Sequence, residues 1–168
     1  LLAVLGQLAV PVTYELRVGQ QRGTVADLVS CEKQTCRAGQ DQSLKLLGLS
    51  CYVPDDETWQ NDFGEVWSLE RLVEEELSRT VAIDDSAATS RLLGLSYAIE
   101  ARKRAGRPLE DPYDRAAKFL AEFFRHALSV QNDNGSWDPG FFAARGESRD
   151  LAASVRSTGH IFQWLAYW

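Results

Sequence analysis

Leu46-Leu47-Gly48-Leu49-Ser50 and Leu92-Leu93-Gly94-Leu95-Ser96 are the same five residues written twice, 46 positions apart. A basic residue stands before each copy, Lys45 and Arg91, and a hydroxyl residue two places earlier, Ser43 and Thr89. Repetition at this period marks a chain built from stacked supersecondary units, each too small to bury its apolar face alone. A looser copy, Thr158-Gly159-His160-Ile161-Phe162-Gln163-Trp164, follows 69 positions after the second and puts His160 where Lys45 and Arg91 stand. The opening Leu1-Leu2-Ala3-Val4-Leu5 falls in the same register, 45 positions before Leu46.

A second kind of element alternates with these. Thr24-Val25-Ala26-Asp27-Leu28-Val29 and Ser68-Leu69-Glu70-Arg71-Leu72-Val73 each begin with a hydroxyl residue suited to an N-cap, then place apolar residues at helical spacing. Glu74, Glu75 and Glu76 complete a polar face in the second of them. A third such helix is predicted from Tyr113 to Val130, opened by Asp111-Pro112 and carrying Phe119, Leu120, Phe123, Phe124 and Leu128. The charge-poor Leu-Leu-Gly-Leu-Ser helices then read as inner and the capped amphipathic ones as outer. The expected fold is all-α, six to eight helices forming repeated hairpins over residues 1–168 as one domain. The stretch Val12–Arg22 is the one place where a short extended piece competes.

With 168 residues the chain is long enough to bury a sizeable core. Its net charge of −6 disfavours nucleic acid, since the only basic cluster is Arg102-Lys103-Arg104 with Arg107. That cluster ends an inner helix, where cations complement the macrodipole. No stretch approaches the roughly 20 apolar residues of a membrane span. No leader is visible, there is no methionine, and the chain opens inside a helix. It is therefore expected to be a piece of a longer protein, with further repeats or another subunit completing the array. Cys31 and Cys36 lie five apart, which turns them away from each other on a helix. With Cys51 they are expected to be buried free thiols, and their spacing matches no zinc site. Neither a metal nor a cofactor is expected.

The residues inserted before the last helix include Gln131, Gly135 and Trp137 in the form Gln-x-x-x-Gly-x-Trp. This resembles the QW motif of squalene and hopene cyclases, members of the α/α-toroid superfamily that also holds the protein prenyltransferases. In helical organisation the whole chain, including Thr158-Gly159-His160 and Gln163-Trp164-Leu165, is similar to a bacterial group of that fold that carries no assigned activity. The resemblance implies a ring of inner helices inside outer ones. It also implies that Gln131, Gly135 and Trp137 are structural braces, with the glutamine capping a neighbouring helix. Isoprenoid chemistry finds no support in the acids. An Asp-x-Asp-Asp tetrad is missing, and Asp84-Asp85 and Asp55-Asp56 are bare pairs that read as caps or loop charges. No cysteine follows an aspartate as a prenyltransferase zinc site needs.

The repeat register places Lys45, Arg91 and His160 at equivalent positions near three inner-helix N-termini. Basic groups there oppose the macrodipole and need compensation. Local acids are the plainer answer, with Asp41, Asp84, Asp85 and Asp150 as candidates. A carboxylate- or phosphate-bearing ligand is the functional one, with His160 as the proton-exchanging group and a weak catalytic candidate. Trp137, with Trp59, Trp67, Trp164, Phe141, Phe142 and Tyr97, could line a cavity for a saccharide or isoprenoid, although aromatics between helices are core first. His126 reads as a structural histidine at a helix end. The expected function is binding of an anionic or amphipathic small molecule at this mouth. A lyase or hydrolase on acidic polysaccharide and an isoprenoid enzyme stand as the alternatives, the former by analogy of fold.

Overall fold

In a row of helices packed in chain order, each inner helix can approach the one before it only as closely as its side chains allow. Gly48 and Gly94 set that distance. A Cβ on Gly48 would lie 3.0 Å from Leu2 Cγ and 3.1 Å from the Ala3 amide nitrogen, and one on Gly94 would lie 2.6 Å from the Ser43 carbonyl oxygen. The duplicated glycine is thus the point where each inner helix presses on the first turn of its predecessor.

The computed structural model describes residues 1–79, 87–140 and 142–168, apart from the side chains of Val18 and Ala87. Seven helices and four short strands follow in the order α1 (Leu2–Gln7), β1 (Glu15–Val18), β2 (Gln21–Thr24), α2 (Val25–Gln34), α3 (Ser43–Tyr52), β3 (Thr58–Gln60), β4 (Val66–Ser68), α4 (Leu69–Ser78), α5 (Ala87–Arg104), α6 (Tyr113–Ser129) and α7 (Leu151–Tyr167). Helix α3 packs between α1 and α5, and α5 also meets α7. The outer helices touch this row in turn: α2 against α1 and α3, α4 against α3 and α5, and α6 against α4 and α5. The protein is mainly α.

It is not all-α. Strands β1 and β2 pair antiparallel, as do β3 and β4, with Trp59 opposite Trp67. Gly19 at φ +62° and Gly64 at φ +76° turn the two hairpins, a backbone region glycine enters without penalty. The Val12–Arg22 expectation therefore falls on a real hairpin, and a second one stands at the equivalent place in the next repeat. Each hairpin runs straight into an outer helix. Thr24 and Ser68 are at once the last strand residue and the N-cap, accepting from the Asp27 and Arg71 amides. At Thr24 the cap is reciprocal, because the Asp27 carboxylate accepts from the Thr24 amide.

The inner row supplies about half of the core. Leu46, Leu47 and Leu49 are at most 2 % exposed, as are Leu92 and Leu95. Trp67, Tyr113, Phe142 and Trp164 fill the spaces between helices. Burying this apolar surface is the main driving force for the fold, at roughly 25 cal/mol per Å² removed from water.

Two buried polar hubs fasten the row to its connections. At one, Glu76 is fully buried on α4, and its carboxylate accepts from the Gln42 amide at 2.7 Å, the Ser43 hydroxyl at 2.8 Å and Arg79. It caps the start of α3 from a neighbouring helix. At the other, Asp55 accepts from Arg102 and Arg107, each at 3.0 Å, and from the Tyr113 hydroxyl at 3.1 Å. Arg102 also lies over the Tyr113 ring and donates to the Pro108 carbonyl. The basic cluster stands in the last turn of α5 as expected, and Arg102, 4 % exposed, also answers a specific carboxylate. Burial, then the adjacent Asp55 carboxylate, pushes the Tyr113 phenol up.

The three cysteines are free. Cys36 is buried and Cys51 half-buried, and in both burial pushes the thiol up. Cys31 is exposed, contrary to the expectation of a third buried thiol, because it lies on the solvent side of α2.

Candidate functional site

Lys45, near the start of α3, turns onto α2. Its ammonium pairs with Glu32 at 2.9 Å and also donates to the Thr35 hydroxyl. The partner is Glu32, which the candidate acids did not include. Arg91, near the start of α5, is 5 % exposed; it donates to the Arg79 carbonyl at 3.1 Å and lies over the Phe119 ring at 5.0 Å. Burial pulls the Arg91 guanidinium down from its ordinary value, against the nearby Glu76 charge. Its Nε has no hydrogen-bond partner among the described residues. His160 is exposed on α7. Lys45 and Arg91 therefore point to different outer helices, and among the described residues no interaction links them.

Among the candidate acids, Asp41 accepts from the Ser43 amide and pairs with Arg79 at 3.2 Å. Burial works against its ionisation but is outweighed by Ser43 and Arg79, which leave the carboxyl below its ordinary value. Asp150 N-caps α7 through the Ala153 amide. Asp84, Asp85 and Phe141 lie outside the described residues.

Trp137 is 2 % exposed and donates its indole N–H to the Ala127 carbonyl at 2.8 Å. Its backbone is held on α7 by Thr158, whose hydroxyl accepts from the Trp137 amide, and by Ser157, which donates to the Trp137 carbonyl. Gln131 does not reach a neighbouring helix; it donates to the Gly135 carbonyl at 2.9 Å inside its own turn. The bracing runs through Asn132 instead, 8 % exposed, whose amide bonds both the N–H and the carbonyl of Gly146 and so ties the two limbs of the insertion together. Trp67, Trp164 and Phe142 are core residues, with Trp164 donating to Ser96 of the second five-residue copy at 3.2 Å. Trp59 is half-buried and donates to the Lys33 carbonyl, and Tyr97 stacks on Tyr167 with ring centroids 4.0 Å apart. His126 bonds the Phe142 carbonyl at 2.7 Å through Nε2. A carbonyl only accepts, so Nε2 carries the proton and the ring ties α6 to the insertion.

The insertion and α7 enclose the feature that residue-by-residue reading missed. A groove of about 440 Å³ runs along the N-terminal half of α7. Its floor is Leu151, Val155 and Phe162, which are 75 %, 64 % and 63 % exposed, with Gly159 beside them. Its rim is polar: Asn134, Ser136, Glu147, Ser148, Ser154 and Thr158. Asn134 and Glu147 bond each other across the rim at 3.3 Å. The spacing of Leu151, Val155 and Phe162 along one helical stripe was the available signal, hidden because all three fit a buried helix equally well.

Among the described residues no group of three or more His, Cys, Asp and Glu gathers as a metal site would require, and no helix is long and apolar enough to cross a membrane. No protein-family model, curated protein or solved structure matches the chain.

Proposed function

We propose that this chain is a segment of an α/α toroid that works as a binding scaffold, taking an amphipathic molecule in the groove along the N-terminal half of α7. The observation that carries the reading is the groove's composition. Exposed aliphatic and aromatic side chains form its floor, and hydroxyl, amide and carboxylate groups form its rim. Such a site favours a ligand with one apolar face and one hydrogen-bonding edge. The groove is lined by α7 residues from Leu151 to Phe162. His160 follows Gly159 and Arg156 follows Val155, so two basic residues adjoin the floor in sequence.

An anion held by Lys45, Arg91 and His160 together has less support, because Lys45 and Arg91 are already engaged on α2 and α4. Glycoside hydrolysis needs two carboxyl groups about 5–9 Å apart, and the groove contributes Glu147 alone among the described residues.

The test is a fluorescence titration with 8-anilinonaphthalene-1-sulfonate, an amphipathic dye that brightens in apolar sites. Saturable enhancement is expected in the wild type and is expected to disappear in Phe162→Glu, while Lys45→Gln keeps it. Enhancement that survives Phe162→Glu, or none in the wild type, rejects the groove as the site.

A further inference from the structure

We propose that Asn134 is a site of self-modification, at which the Gly135 backbone nitrogen displaces the side-chain amide and leaves an acid on the groove's rim. The modification stands apart from what the groove binds; only its effect on a ligand rests on the reading of the groove as a binding surface.

The chain holds three asparagines, and their surroundings differ. Asn61 is 6 % exposed. Its carbonyl oxygen accepts from the Phe63 and Glu65 amides, and its own amide donates to the Cys36 carbonyl and to Glu65. Asn132 is 8 % exposed and is held on both sides by Gly146. Each of these two precedes an aspartate, whose side chain crowds the attacking nitrogen and whose charge opposes loss of its proton. Asn134 is exposed, precedes Gly135, and among the described residues its amide makes one long bond, to Glu147 at 3.3 Å. No described atom lies within 4 Å of where a Cβ on Gly135 would stand, so the nitrogen is open to its target.

The side-chain carbonyl is also prepared for attack. Asn134 Oδ1 accepts from the Ser136 amide at 3.0 Å and from the Ser136 hydroxyl at 2.7 Å. Asn132 donates to that hydroxyl oxygen at 3.0 Å, which leaves the hydroxyl hydrogen for Asn134. Two donors aimed at Oδ1 polarise the carbonyl and hold the negative charge that gathers there during attack. One bond opposes the step, since the Gly135 amide donates to the Asn132 carbonyl at 2.9 Å. It closes an exposed turn, and exposed turns open locally at small cost. That bond slows the reaction without preventing it.

The step involves no oxidation or reduction. The Gly135 nitrogen bonds to Asn134 Cγ, the Cγ–Nδ2 bond breaks, and the Gly135 proton departs with Nδ2 as ammonia. Water then opens the cyclic imide at either carbonyl. One product is aspartate; the other is isoaspartate, in which the main chain runs through the former side chain. An ionised carboxylate accepts hydrogen bonds and donates none. Glu147 therefore loses its donor across the rim and faces a like charge instead.

The purified wild type, held folded in mildly alkaline buffer, tests this by peptide mapping in a mass spectrometer at successive times. Amide-to-acid exchange is expected at position 134, with isoaspartate confirmed by labelling with an isoaspartyl methyltransferase, while Asn61 and Asn132 stay amides. Asn134→Gln should remove the signal, and Ser136→Ala should slow it several-fold, with circular dichroism checking that both variants fold. An Asn134 that stays an amide for as long as Asn61 and Asn132 do overturns the proposal, as does exchange at Asn61 or Asn132 first. A rate unchanged or raised in Ser136→Ala overturns the part given to Ser136. The dye 8-anilinonaphthalene-1-sulfonate, itself an anion, should bind aged wild type several-fold more weakly than fresh, and aged Asn134→Gln no differently from fresh. If position 134 converts and dye affinity holds, the modification stands and its link to the groove falls.

Discussion

Leu47 and Leu93 are 2 % and 7 % exposed, whereas Phe162, at the matching place in the third copy, is 63 % exposed. The neighbouring position behaves differently, because Leu46, Leu92 and Ile161 are all at most 1 % exposed. One register thus gives two outcomes. The position buried in all three copies contributes to the packing that holds each helix to the array. The position buried in only two reports whether another of the described elements covers it. Among the described residues α3 packs between α1 and α5 and α5 between α3 and α7, whereas α7 meets α5 alone in the row, so one pattern gives a covered position in two helices and an open one in the third. Sequence periodicity describes which face is apolar; it carries no information about whether that face is covered.

The comparison can be broken most severely at the covered half. Asp55→Ala leaves Arg102 buried without its carboxylate, and removing one partner of a buried pair costs about 3–5 kcal/mol. Urea unfolding should show that loss, and one below about 1 kcal/mol would mean that the hub is not what fastens α5 to α6. Next comes Gly94→Ala. The added Cβ meets the Ser43 carbonyl oxygen at 2.6 Å, an overpacking cost of up to about 3 kcal/mol that exceeds the roughly 1 kcal/mol gained in helix propensity. The smallest effect has the opposite sign. Gly159→Ala, where nothing lies within 4 Å of the new Cβ, should stabilise by about 0.5–1 kcal/mol. A melting temperature that falls in both glycine variants would erase the distinction between the covered and the open helix.

Local signals were the legible ones. The outer helix predicted over Tyr113–Val130 is observed at Tyr113–Ser129, and Thr24 and Ser68 both act as N-caps. Each depends on residues within a turn or two of one another. The second hairpin was missed although Asn61-Asp62-Phe63-Gly64 sits between Thr58-Trp59-Gln60 and Val66-Trp67-Ser68, because three-residue strands are too short to register as a period. The pairings of Lys45 with Glu32 and of Asp55 with Arg102 join residues 13 and 47 positions apart. Sign of charge alone cannot select such partners; packing selects them. The groove was missed for a related reason, since it depends on a loop folding back through Asn132 onto Gly146.

The hairpin-to-cap junctions at Thr24 and Ser68 bear on how the chain acquires its structure. In each, the residue that closes a two-stranded ladder also begins a helix, so strand pairing and helix initiation stabilise one another within about twenty residues of chain. Helix initiation is ordinarily the unfavourable step, since several dihedrals are fixed before the first hydrogen bond forms. A preformed turn and ladder lower that barrier locally, and contacts between units that adjoin in sequence keep loop-closure entropy small. Folding can then begin at either junction and spread along the row, in the manner of a one-dimensional chain of coupled units.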